Sequence, residues 1–73
     1  MKPGDRVLAF DKFSWIFAGR PEDKEHFWKP ARIMYINPHY SDLATITWDN
    51  TGGTSHGHIL ENLKPIDALG SVI

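Results

Sequence analysis

The chain contains no cysteine, which excludes both a disulfide framework and any metal site built from thiolates. This absence suits the reducing cytoplasm, and we expect a cytoplasmic protein. No apolar run approaches the roughly 18 residues that a membrane-spanning helix needs, and no signal-peptide pattern opens the sequence. We therefore expect a soluble protein that has no membrane partner.

An excess of basic residues is also absent. Eight Lys and Arg residues stand against nine Asp and Glu residues, which gives a formal net charge of −1. Nucleic-acid-binding proteins usually carry a basic excess, because phosphate neutralisation supplies much of their affinity. Nucleic acid is therefore not the favoured partner. It stays an alternative that would require one shared face for Lys2, Arg6, Lys12, Lys29 and Arg32.

Aromatic residues, in contrast, are plentiful for so short a chain. The 73 residues include three Trp, two Tyr and four Phe. Large rings fill a small core efficiently, and they also form binding surfaces. The length allows one domain, which we place at 1–67 as a free-standing unit, followed by a C-terminal tail at 68–73.

Short β-rich runs, separated by Gly, Pro and Asn, predict an all-β domain. The predicted strands are Asp5–Phe10, Phe27–Ile36, Leu43–Trp48, Thr54–His58 and Lys64–Ile66. One short helical turn is predicted at 59–63, before the last strand. We expect residues 13–17 to prolong the first strand or to form a loop lid, and residues 18–26 to be irregular.

The second predicted strand contains a proline close to its start, in the sequence FWKPARI at 27–33. Proline has no N–H to donate, so within sheets it lies at strand starts, bulges or free edges. We expect this strand to begin near Trp28 with its first residues unpaired. Trp28 would then lie at the open end of the sheet.

Four stretches of the chain resemble the Tudor-like group of small Src-homology-3-like (SH3-like) barrels. They are GDRVLA at 4–9, FWKPARI at 27–33, ATITWD at 44–49 and LKPI at 63–66. The resemblance covers roughly residues 3–67. It implies a five-stranded, SH3-like (Tudor-like) barrel with the helical turn before the last strand.

The resemblance also implies a binding site, because Tudor-like domains hold methylated Lys or Arg in a cage of aromatic rings. By this resemblance, one cage position falls on Trp48 and another on Trp28 or its neighbour Lys29. Two positions that are usually aromatic fall on Asp11 and on Thr51 or Gly52. An acidic group such as Asp49 near the cage would favour a cation. The candidate ligand-binding residues are Phe10, Asp11, Phe13, Trp15, Trp28, Trp48, Asp49 and Thr51. The alternative use of most of these rings is to fill the core.

Two histidines, His56 and His58, stand two residues apart in a predicted strand, which would place both imidazoles on one face. Such a pair is half of a metal site, but no third ligand has a suitable spacing. We therefore predict no metal and no cofactor. The serines lack a nucleophile motif and there is no thiol, so we expect no enzymatic activity.

These observations predict a non-catalytic binding module that recognises a peptide or protein segment, including one that carries a methylated Lys or Arg. A structural or assembly subunit is the other alternative. The apolar residues of 13–17 and of the tail could be buried against a second copy, which would give a homodimer or another homo-oligomer.

Overall fold

Five strands, one α-helix and two 3-10 helices make up the computed structural model, which describes all of residues 1–73. The strands are β1 (Arg6–Phe10), β2 (Trp28–Ile36), β3 (Leu43–Trp48), β4 (Thr54–Ile59) and β5 (Lys64–Pro65). Helix α1 spans Lys12–Ala18, and the 3-10 helices span Pro21–Phe27 and Leu60–Asn62. None of these helices has the length and apolar character needed to span a membrane.

The strands form one antiparallel sheet in the order β4-β3-β2-β1-β5. The predicted five strands and the predicted helical turn before the last strand are therefore confirmed. The sheet is open, because β4 and β5 stand at its two edges and do not pair with each other.

The core lies on one face of this sheet, where apolar side chains follow the two-residue period of the strands. Its buried members are Val7, Ala9, Ala31, Ile33, Ala44, Ile46 and Leu63. Ile33 of β2 and Ile46 of β3 stand directly opposite each other. Trp48 packs against the end of this cluster and so joins the core to the surface.

Residues 13–17 form neither a strand nor a loop lid, so both expectations for them were wrong: they lie in α1. The carboxylate of Asp11 caps the helix by accepting the N–H of Ser14 at 3.1 Å. At the other end, the N–H of Gly19 donates to the carbonyl of Trp15 at 2.9 Å. The segment predicted to be irregular is largely a 3-10 helix, which begins at Pro21.

The first residues of β2 are paired, so the expectation of an unpaired start was wrong. The register places Trp28 opposite Phe10 and Pro30 opposite Leu8. Hydrogen-bonded and non-bonded pairs alternate along an antiparallel ladder, and Pro30 occupies a non-bonded position towards β1. Its nitrogen therefore faces β3 at the end of that ladder, where the Pro30 carbonyl accepts the N–H of Asp49 at 3.1 Å.

The tail turns back against the outer side of β5. The N–H of Ile73 donates to the carbonyl of Pro65 at 3.0 Å, and Val72 forms an isolated antiparallel bridge with Ile66. The division into a domain at 1–67 and a tail at 68–73 stays a prediction.

A candidate binding groove beside strand β4

A groove of about 750 Å³ opens beside β4. Its four aromatic residues come from four elements: Phe10 from β1, Phe13 from α1, Trp28 from β2 and Trp48 from β3. All of β4 lines the groove as well. A largely apolar cleft of this size with a few polar groups has the usual character of a ligand site.

Five of the eight predicted site residues meet in this groove. They are Phe10, Asp11, Phe13, Trp28 and Trp48. Trp15 does not line it, although its ring packs on Phe10 with the ring centroids 5.6 Å apart. The indole Nε1–H of Trp15 donates to the carbonyl of Arg20 at 2.9 Å, which holds that ring within the α1 region.

The other two predicted residues, Asp49 and Thr51, lie outside the groove. Asp49 Oδ2 accepts a hydrogen bond from Arg6 Nη2 at 2.7 Å and lines a smaller depression of about 390 Å³. Thr51 is exposed in the turn between β3 and β4, where its Oγ1 accepts the N–H of Gly53 at 3.2 Å. Trp48 borders both depressions.

Ammonium groups of the chain itself already lie on several of the aromatic faces. Lys64 Nζ is 4.3 Å from the centroid of the Trp28 ring. Lys24 Nζ is 5.4 Å from the centroid of Phe10 and 5.5 Å from that of Trp15. These distances are within the range of cation–π attraction. An external cation would therefore compete with internal ones.

Asp11 is the acidic residue of the groove, and its charge is well satisfied. Its Oδ2 accepts hydrogen bonds from Lys29 Nζ at 2.7 Å and from the Ser14 hydroxyl at 2.8 Å. Partial burial would raise the pKa of Asp11, but the hydrogen bonds from Lys29 and Ser14 outweigh burial and hold that pKa below its ordinary value. Asp11 is thus ionised at neutral pH and paired.

Six polar residues of the groove were not among the predicted site residues: Lys12, Thr54, Ser55, His56, His58 and Asn62. The half-buried His58 ring meets Trp48 edge to face, with the ring centroids 5.9 Å apart, and its Nε2 lies 2.8 Å from Ser55 Oγ. Burial lowers the pKa of His58, and the nearby charge of Asp11 raises it only in part. His58 is therefore an uncharged hydrogen-bonding group at neutral pH.

The expectation that His56 and His58 share one strand face was wrong. The β3–β4 register shifts at this point, and Gly57, with a φ of 74°, lies between the two histidines. His56 Nδ1 is 2.9 Å from Thr45 Oγ1, whereas His58 stands opposite Ala44. Because consecutive strand residues point to opposite faces, the two imidazoles separate. A glycine inside a strand is the sequence signal for such a bulge.

No group of three His, Asp or Glu side chains in the structure is placed to hold a metal ion. No protein-family model matches the chain, and no match is found among curated proteins or solved structures. Its function is therefore inferred from the residues of the groove.

Proposed function

We propose that this protein is a small non-catalytic binding module that recognises a peptide or protein segment in the groove beside β4. The observation that carries this proposal is the meeting of Phe10, Phe13, Trp28 and Trp48 around one cavity of about 750 Å³. Phe13 is 76% exposed, although burial of a large apolar ring would stabilise a small domain. Exposed aromatic surface beside a cleft is typical of interaction sites.

The proposal includes an SH3-like, Tudor-like barrel as the arrangement of the five strands. Two features support it: the strand order β4-β3-β2-β1-β5, and the 3-10 helix Leu60–Asn62 that comes shortly before β5. In such a barrel the groove would lie at the gap between β4 and the end of β1.

A methylated Lys or Arg is the side chain that we propose for the aromatic contact. The position of Lys64 supports it, since an ammonium 4.3 Å from the Trp28 centroid marks a ring face that a cation can reach. A ligand that uses this face of the ring would have to displace Lys64. The groove would offer a cationic ligand little net negative charge, because Asp11 is paired with Lys29.

The test is a chemical-shift titration of ¹⁵N-labelled protein with matched unmodified and methylated Lys and Arg peptides. We expect saturable shifts of the Trp28 and Trp48 indole N–H peaks. The Trp15 indole, which is bonded to the carbonyl of Arg20, should move little. If no peptide moves the groove indoles, the binding proposal is wrong; equal shifts with both peptide forms would remove methylation from it.

Helix α1 offers a matched pair of variants for the same titration. Phe13 and Phe17 are 76% and 80% exposed, and their rings stack with centroids 6.1 Å apart, but only Phe13 lines the groove. Phe13→Ala should weaken peptide binding about fivefold or more, which corresponds to about 1 kcal/mol. Phe17→Ala should leave it within twofold.

An assembly role is the second candidate, favoured by the exposed apolar face of α1. Phe13, Ile16 and Phe17 follow helical spacing on one side of α1, and all three are exposed. A homodimer that buries this face would be detected by sedimentation as a concentration-dependent mass. Phe17→Ala should then shift the protein towards monomer; a strictly monomeric protein would exclude this role.

Binding to nucleic acid has less support, because two of the five basic residues named for it are already ion-paired. Arg6 is bonded to Asp49 and Lys29 to Asp11, each at 2.7 Å. Affinity for a DNA duplex that falls steeply with salt would revive this alternative. The cytoplasmic location stays a prediction.

A further inference from the structure

The two edges of the sheet differ in how they are protected against strand pairing. Edge β5 carries a lysine and a proline, Lys64 and Pro65, and the tail covers its outer side through the bond from Ile73 N–H to the Pro65 carbonyl. Charge, proline and a covering segment are the usual ways in which proteins block an edge strand.

Edge β4 lacks these protections. Its sequence, TSHGHI, has no Lys, Asp, Glu or Pro, and only the bulge at Gly57 interrupts it. No backbone group of Thr54–Ile59 is hydrogen-bonded to any segment other than β3. Unpaired N–H and C=O groups in a row form a template for another strand.

The register identifies which of these groups face outwards. Thr54 stands opposite Thr47 and Ile59 opposite Leu43. The Leu43 carbonyl accepts the N–H of Asn37 at 2.9 Å, so Leu43 bonds towards β2 and leaves the Leu43–Ile59 pair non-bonded. At the other end, the N–H of Trp48 donates to the Gly53 carbonyl, so Trp48 and Gly53 form a bonded pair. Because bonded and non-bonded pairs alternate, the adjacent pair, Thr47–Thr54, is non-bonded. The backbone groups of Thr54 and Ile59 therefore point away from β3.

This open edge borders the aromatic groove. Every residue of β4 lines the groove. The groove is also lined by Phe10 of β1, Phe13 of α1 and Trp28 of β2. A strand lies about 4.8 Å from its neighbour in the hydrogen-bonding direction, and six residues of strand span about 20 Å. A single extended segment is thus the shape that would pair with β4 and contact the rings together.

The geometry points to strand addition: an extended segment of a partner protein pairs with the outer edge of β4. Its alternate side chains, apolar ones and the methylated Lys or Arg proposed above, then contact Phe13, Trp28 and Trp48. This inference rests on the proposed peptide-binding function of the groove and specifies how the peptide is held. Main-chain bonds would supply affinity, and the aromatic contacts would select the side chains.

The charges of the groove add a further requirement for the partner. Lys12 lines the groove and has no ion-pair partner, whereas Asp11 is already paired with Lys29. An acidic side chain near one end of the segment would therefore be attracted to Lys12. A second copy of this chain fits less well. Its β4 is part of a sheet, and pairing would bring that whole sheet against Phe13 and Trp28, which line the same groove.

The test uses synthetic octapeptides with Val, Leu or Phe at alternate positions, Thr between them and Glu at one end. In an extended peptide, successive N–H groups point to opposite edges. Two isomers of the best-binding peptide are therefore compared, in which N-methyl groups block the N–H groups of one edge or of the other. We expect one isomer to bind at least tenfold more weakly than the parent, and the other to bind within threefold.

Hydrogen exchange gives the second readout. The amides of Thr54 and Ile59 should gain protection when the parent peptide binds, whereas amides that already bond to β3 should change little. If both N-methyl isomers bind like the parent, strand addition is wrong and the groove still binds peptides. If no octapeptide moves the groove indoles, strand addition is wrong. The proposed function then depends on the separate Lys and Arg peptide titration.

Pairing of β4 between two copies of the chain would give a different result in the hydrogen-exchange experiment. Protection of Thr54 and Ile59 in the protein alone, rising with its concentration, would identify β4 as a self-association edge. That outcome would overturn the proposal of a partner segment.

Discussion

The ammonium group of Lys64, in β5, lies 4.3 Å from the centroid of the ring of Trp28, in β2, and β1 stands between these two strands in the sheet. Lys64 thus occupies one face of the Trp28 ring, although Lys64 itself does not line the groove. The effect of this contact on the affinity of the groove for cations can be measured with variants of Lys64.

Replacement of Lys64 by Gln should increase the affinity of the groove for a trimethyl-lysine peptide two- to fivefold. A cation–π contact at an exposed site is worth about 0.5–1 kcal/mol, and the ligand would no longer compete with an internal ammonium. The measurement is the dissociation constant from the Trp28 indole shift. Lys64→Arg, which keeps a cation, is the control; equal affinities of the two variants would show that Lys64 does not compete.

Asp11 should contribute to stability mainly as the cap of α1. Asp11→Ala removes the bonds to Ser14 and Lys29, and we expect it to lower the free energy of unfolding by about 1–2 kcal/mol. Asp11→Asn keeps a capping oxygen and should lose about half as much. Urea unfolding of both variants provides the comparison. A loss as large in the Asn variant as in the Ala variant would assign the effect to charge instead.

Gly19 lies where helix α1 meets the first 3-10 helix, and it has no room for a side chain. A Cβ added there would lie 2.7 Å from Phe27 Cε2 and 2.7 Å from Trp15 Cδ1. Gly19→Ala should therefore destabilise the protein by about 1–3 kcal/mol through overpacking. Gly53→Ala, where the nearest atom is Thr51 Oγ1 at 3.4 Å, should change stability by about 0.5 kcal/mol or less. Similar losses in both variants would contradict the close packing at Gly19.

His58 should make the stability depend on pH below neutrality. Its pKa is lowered in the folded protein, so the unfolded chain binds the proton at a higher pH. Stability therefore falls as the pH drops through the ordinary His value of about 6.5, and this loss ends below the folded pKa. His58→Gln should flatten the curve of unfolding free energy between about pH 7 and pH 5.

The control for that experiment is His39→Gln, which removes one imidazole from the exposed loop between β2 and β3. An unchanged slope in the His58 variant would show that burial of His58 does not govern this part of the pH dependence. The curve also tests Asp11 at lower pH. Its lowered pKa means that its stabilisation is complete above the ordinary Asp value and is lost as the pH falls through the folded value.

The strands could be predicted because their signals are local. Val7 and Ala9 alternate with less buried residues, and this period of two identifies both a strand and its inner face. Turn residues such as Gly52 and Gly53 mark where strands end. The prediction of β3 therefore matches the observed Leu43–Trp48.

Helix α1 was missed although its signals are present. Asp11 is a good N-cap residue, Gly19 follows the last turn, and Phe13, Ile16 and Phe17 have helical spacing. A run of aromatic and β-branched residues also has high strand propensity, and a helix of seven residues is too short to be stable alone. Contacts from Trp15 to Phe10 and to Arg20 then favour the helix.

The sequence by itself determined the number of strands and their approximate bounds, because side-chain alternation and turn residues act over neighbouring positions. Only the tertiary structure decided which rings meet: Trp28 is paired with Phe10 in the register of β1 and β2, and Trp15 is held away by Arg20. It also separated His56 from His58 through the bulge at Gly57. These features depend on the register between strands and on contacts between distant segments, which a local pattern of residues does not contain.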